Sequence, residues 1–125
     1  MPDRDDALRP LRWIGSSRKD YAAFPSAVQE AFGFELYQAQ VGDHPQSARP
    51  LRGLGGVVEL VDDHQGDTFR TMYLARFEDA VYVLHCFKKK SKSGIATPQH
   101  EIDLVRNRLK SAEADHLARL KEPNR

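Results

Sequence analysis

Near the start of the chain, apolar residues recur at three- and four-residue spacings: Tyr21, Phe24, Val28, Phe32 (or Ala31), Leu36 (or Glu35) and Ala39. That repeat lays one stripe along a helical surface. Pro25 interrupts it, and a residue before proline avoids helical dihedrals. The pattern therefore predicts a short first helix, a break at Phe24 and a longer helix with Pro25 in its first turn, together a helical hairpin. Ser17, after Gly15 and Ser16, is placed to cap the first helix, with Asp20 as its N3 residue. His44, Pro45, Pro50, Gly53 and Gly55 crowd residues 42–56 with breakers and predict a loop.

Beyond that loop the period changes. Residues 57–61, 68–77 and 80–88 are rich in β-branched and aromatic side chains and predict three consecutive antiparallel strands. Asp62, Asp63, Gln65, Gly66 and Asp67 mark one hairpin turn, and Glu78 with Asp79 a tighter one. Residues 89–96 hold lysine, serine and glycine and predict an exposed loop. Thr97 is placed to cap a final helix, with Pro98 at its first position and Glu101 and Asp103 near its positive end. Ile102, Val105, Leu109 and Ala112 supply its apolar stripe; Lys110, Arg119 and Lys121 are expected in solvent, with fraying from Glu122. The order predicts an α+β domain: two N-terminal helices packed on an antiparallel β-meander, followed by a C-terminal helix. With the helices on one sheet face, the other is expected to stay open for a ligand. One domain over residues 1–125, with an ordered core about 11–120, suits this length.

Composition narrows the functional classes. Hydrophobic residues make up 40% and charged residues 30%, which suits a folded domain rather than a disordered chain. The longest apolar run, residues 80–86, is far short of the roughly 20 residues that cross a bilayer, and residues 1–10 are charged, so neither a membrane span nor a secretory signal is expected. Cys86 is the single cysteine, which excludes an internal disulfide and suits a buried thiol in the cytoplasm. Net charge is only +1, yet residues 80–100 contain four lysines and no acid. Such local asymmetry can attract phosphate on a nearly neutral molecule.

Strand alternation puts Arg70, Met72, Leu74 and Arg76 on one face, against Phe69, Thr71, Tyr73, Ala75 and Phe77. In the last strand it puts Val81, Val83, His85 and Phe87 opposite Tyr82, Leu84, Cys86 and Lys88. An arginine in the middle of a strand is costly unless it is paired or lines a wet groove, so Arg70 is a candidate functional residue; the competing reading is an ion pair with Asp62, Asp63 or another acid. Lys88, Lys89, Lys90 and Lys92 follow, and at least one is expected to reach the groove of Arg70; a solvated run guarding the strand end is the competing reading. Arg49 and Arg52, in the loop before the first strand, add positive charge. The five histidines lack the close spacing of a zinc site, so no metal or other cofactor is expected. His85 could donate to phosphate or transfer a proton, or be a satisfied, partly buried histidine. Ser91 and Ser93 beside Gly94 do not match a phosphate-loop spacing.

Pro50-Leu51-Arg52-Gly53, Phe69-Arg70-Thr71-Met72-Tyr73, the stretch from Val83 through Lys88-Lys89-Lys90 to Ser91, and Thr97-Pro98, in this order, resemble the RelE/HigB superfamily of toxins. Trp13-Ile14-Gly15-Ser16-Ser17 points to its phage-derived branch, and the likeness spans about residues 11–120. The resemblance implies a microbial RNase fold and a cytoplasmic toxin of a type II toxin–antitoxin system. It implies a metal-independent endoribonuclease, an mRNA interferase in which the RNA 2′-hydroxyl attacks the adjacent phosphate, often on the ribosome. An antitoxin, commonly of helix-turn-helix type, would neutralise it. By motif, Arg70 corresponds to the arginine that holds the scissile phosphate, and Lys88, Lys89 and Lys90 fall in the lysine run after the last long strand. His85 joins Arg70, Lys88 and Lys90 as a catalytic candidate; Arg52 lies near the family's basic loop and joins Arg49, Lys89 and Lys92 as RNA-binding. Some relatives use a tyrosine or histidine near the carboxyl end, where this chain has no tyrosine. The proton acceptor therefore stays open between His85, Tyr73 and a lysine. Two other classes stay open as well: a non-catalytic RNA- or protein-binding module on the same fold, and a structural protein with no RNA affinity.

Overall fold

The computed structural model describes residues 8–90 and 97–122, with Lys90 described through its backbone. In chain order the elements are β1 (Leu11–Trp13), α1 (Ser17–Ala22), α2 (Ser26–Gln40), β2 (Arg49–Pro50), β3 (Val57–His64), β4 (Asp67–Leu74), β5 (Val81–Lys90) and α3 (Gln99–Leu120). They build a five-stranded sheet ordered β1-β5-β4-β3-β2. The meander of three long strands is as expected. The two short flanking strands are additions. β1 pairs in parallel with β5, setting Leu11, Arg12 and Trp13 beside Val81, Tyr82 and Val83, and β2 pairs with β3 through Arg49 and Pro50.

Helical ends differ in detail from the expected caps. Ser16 occupies the N-cap position of α1 and its hydroxyl donates to Asp20, while Ser17 is buried and donates to the carbonyl of Val83. Pro25 is the N-cap of α2 rather than part of its first turn, and Pro98 that of α3. Thr97 does not cap α3; its hydroxyl reaches across to Glu59. The hairpin turn between β3 and β4 narrows to Gln65 and Gly66, both with positive φ, so Asp62 and Asp63 belong to the strand. At the other end of β4, strand pairing stops at Leu74. The lysine stretch expected as a loop is strand as far as Lys90; Lys92 and the rest of that loop lie outside the described residues.

The helices lie on both faces of the sheet. Phe24, Val28, Phe32, Leu36 and Ala39 pack with Leu60, Phe69, Tyr73, Val81, Val83 and Cys86 on one face. Val105, Leu109 and Ala112 of α3 pack with Val57, Met72, Leu74, Tyr82 and Leu84 on the other. The face expected to stay open is therefore largely covered, because the stripe of α3 is apolar and needs a partner surface. A register shift also corrects the alternation along β5: Met72 faces His85 while Tyr73 faces Val83, leaving Leu84 as an extra residue. His85 and Phe87 consequently share the α3 face with Tyr82 and Leu84, and Cys86 joins Val81 and Val83 on the other.

Candidate active site

Directly opposed residues of neighbouring strands point to the same side of a sheet. On the α3 face this builds three rows: Arg49, Glu59, Met72 and His85; then Val61, Arg70 and Phe87; then Asp63, Thr68 and Lys89. The beginning of α3 sits at the first row, where Thr97 donates to Glu59 and Glu101 meets His85. Arg70 and Lys89 lie past that point, on the end of the face the helix leaves. By register, Lys89 shares a face with Arg70 among the described lysine side chains.

Arg70 is in the ion pair offered as its competing reading, and the acid is Glu59 rather than Asp62 or Asp63. Its Nη1 donates to Glu59 Oε2 at 2.9 Å, with side chains only 13% and 10% exposed. The same oxygen accepts from Thr97 Oγ1 at 2.9 Å. Sequence reasoning missed Glu59, although its place inside an otherwise apolar strand segment, Val57-Val58-Glu59-Leu60-Val61, is the same signal that singled out Arg70.

His85 is 5% exposed and sits between two residues of α3. Its Nε2 lies 2.7 Å from Glu101 Oε1, and its Nδ1 lies 3.4 Å from Arg108 Nη1. Arginine has no acceptor, so Nδ1 takes the hydrogen from Arg108, and Nε2 carries the hydrogen given to Glu101. Arg108 also donates to the carbonyl of Leu84 and to Ser16, holding the irregular turn of β5 against the Gly15-Ser16 corner. Both ring nitrogens of His85 thus serve to tie β5 to α3.

Lys88 lies on the opposite face, across from Phe69, with its Nζ 3.8 Å from Asp67. There it lines a groove of about 570 Å³ that wraps round the edge of β5, together with Phe24, Pro25, Phe69 and Phe87. Arg52 is exposed in the turn before β3. Leu51 and Val57 are hydrogen-bonded beside it, four strand positions from the Val61 that faces Arg70, or about 13 Å along β3. The structure therefore gathers Arg49, Arg70 and Lys89 on one face, and separates Lys88 and Arg52 from them. Lys90 pairs through its backbone with Asp67. Tyr73 is buried on the α1 and α2 side, where desolvation above all, and the Glu35 carboxylate next, push its phenol up to about 12. It belongs to the core. Among the described residues no group of three or more His, Cys, Asp and Glu could hold a metal ion, and no helix is long and apolar enough to cross a membrane.

Two helices on one side of a five-stranded mixed sheet and a third across the other define a small α+β domain. Residues 19–110 match the family described as Phage derived protein Gp49-like (DUF891), and the chain belongs to that family. Its fold is that of the RelE toxins. The isolated RelE toxin of E. coli aligns with a TM-score of 0.55 at 19% identity, over 68% of this chain and 88% of that one. A doubly substituted RelE of E. coli in the free state aligns with a TM-score of 0.52 at 18% identity, over 63% and 81%. No curated protein matches the chain in sequence.

Proposed function

We propose that this chain is the toxin of a type II toxin–antitoxin pair and acts as a metal-independent endoribonuclease, an mRNA interferase working in the cytoplasm. The observation that carries the reading is that Arg70 and Lys89 lie on neighbouring rows of one sheet face, with Arg49 on the same face nearer the start of α3, in a chain whose net charge is only +1. Arg70 would hold the scissile phosphate, Lys89 one row further on would balance the extra negative charge of the pentacoordinate phosphate, and Arg49 would contact a phosphate elsewhere along the RNA. Charge placed in advance where it develops is worth several kcal/mol in sites of this kind. In-line placement of the 2′-hydroxyl would supply much of the remaining acceleration. Lys88, Lys90, Lys92 and Arg52 would contact phosphates along the RNA path, and His85 would position the site through α3. A helix-turn-helix antitoxin is the expected neutralising partner, and the ribosome a place of action.

Brief induction followed by primer-extension mapping of transcripts tests this reading. Wild-type protein is expected to arrest growth and produce discrete cuts, and Arg70→Ala to reduce cleavage by on the order of 10²- to 10³-fold, with the fold of the variant checked by circular dichroism because Glu59 loses its buried cation. Absence of both arrest and cuts would refute it. The ion pair of Arg70 with Glu59 favours a second reading, a non-catalytic binding module with a structural arginine. That reading predicts RNA affinity that falls steeply with salt in a protein that cuts nothing.

A further inference from the structure

We infer that Glu59 is the proton acceptor for the 2′-hydroxyl, a proposal that rests on the ribonuclease reading above. In RNA the attacking 2′-oxygen adjoins the phosphorus, so the group that takes its proton must stand beside the group that holds the phosphate. Glu59 has that position, hydrogen-bonded to Arg70 at 2.9 Å.

Two of the other candidates are held elsewhere by their surroundings. Tyr73 is in the core on the far side of the sheet, and the two ring nitrogens of His85 are engaged by Glu101 and Arg108. Glu59 is surrounded by groups suited to a working carboxylate. Arg70 of β4 and Thr97 before α3 donate to it, Arg49 of β2 is its cross-strand neighbour, and His85 with Glu101 and Arg108 lies beyond Met72 in the same row. A buried ion pair contributes little net stability compared with apolar replacements, so stability alone does not account for the pair of Arg70 with Glu59. Atoms and charge balance through the step. The 2′-hydroxyl proton passes to Glu59 as the 2′-oxygen bonds to phosphorus, the bond from phosphorus to the 5′-oxygen breaks, and that oxygen takes a proton from water. The products are a 2′,3′-cyclic phosphate and a 5′-hydroxyl, after which Glu59 returns its proton to solvent.

The test compares wild type, Glu59→Gln and Glu59→Asp in cleavage of an RNA mapped with the wild-type protein, alongside their affinity for the same oligonucleotide carrying a 2′-deoxy residue at the cut. Glu59→Gln is expected to slow cleavage by on the order of 10²- to 10⁴-fold, with affinity for the 2′-deoxy oligonucleotide changed less than about threefold. Wild-type cleavage is expected to rise with pH on the acid side, and that rise should vanish in Glu59→Gln and persist in Glu59→Asp at a lower rate. Loss of affinity with an unmoved pH profile would mean that Glu59 only holds Arg70, and would overturn the proposal, as would cleavage by Glu59→Gln within about threefold of wild type. Should Glu59→Gln fail to fold, Glu59→Asp decides: an acid limb that disappears with the carboxylate still present overturns the proposal. A wild-type protein that cuts no RNA brings down the ribonuclease reading itself, whereas cleavage that survives Glu59→Gln brings down this proposal alone.

Discussion

Cys86 and His85 stand side by side on β5 and point to opposite faces by strand alternation, while the extra residue Leu84 sets which face each takes. Cys86 is 1% exposed, and its Sγ accepts a hydrogen bond from Thr71. Burial in the apolar core pushes its thiol up to about 12. The thiolate is the reactive form, so alkylation by iodoacetamide near neutral pH should run at least about a hundredfold slower in the folded protein than in the urea-unfolded chain. With one cysteine in the sequence, mass spectrometry reads this directly. Comparable rates in the two states would mean that the thiol is not buried as described. The single cysteine was legible as a buried thiol because its sequence neighbours are apolar. The partners of His85 were not, since Glu101 and Arg108 come from a helix 16 and 23 residues further on.

Among the elements, the attachment of α3 depends on a small corner at the end of β1. Gly15 has φ +59, and a Cβ there would stand 2.8 Å from Arg108 Nε. A side chain at this position meets strained backbone and a guanidinium that is already bonded to Leu84, Ser16 and His85. Gly15→Ala should therefore destabilise the protein by about 1–3 kcal/mol, read as a lower midpoint in urea unfolding with an unchanged slope. An unchanged midpoint would show that Arg108 can leave without cost. Helix periodicity made α2 and α3 legible, and apolar runs made the long strands legible. The short β1 carried no comparable signal, because three residues that pair only with a distant strand have no period of their own.

For the molecule as a unit, pH is the simplest probe of how completely the core closes over its polar groups. Tyr73 and Tyr82 are both held up to about 12, chiefly by burial, with Asp115 accepting from the Tyr82 hydroxyl as the next cause for Tyr82. In the unfolded chain a tyrosine ionises near pH 10. Below about pH 10 both states keep the phenols protonated and stability is unaffected; above it the unfolded state loses protons that the folded state retains. Stability should thus fall as pH rises from about 10 to about 12, and the absorbance of ionised tyrosine should develop in part only as the fold is lost. Smooth titration of every tyrosine in a protein that remains folded would contradict this.

What depends on near neighbours could be read from the chain before any fold was known: the two N-terminal helices broken at Phe24, the three long strands, the last helix, and the oddity of an arginine inside a strand. These follow from side-chain periods of two and about 3.6 residues, which local backbone geometry imposes. Packing in three dimensions was needed to send α3 across the second face, to let Leu84 shift the register of β5, and to bring Arg70 to Glu59 rather than to Asp62 or Asp63. Those outcomes turn on which strands pair and in what register, and a shift of one residue moves every later side chain to the other face.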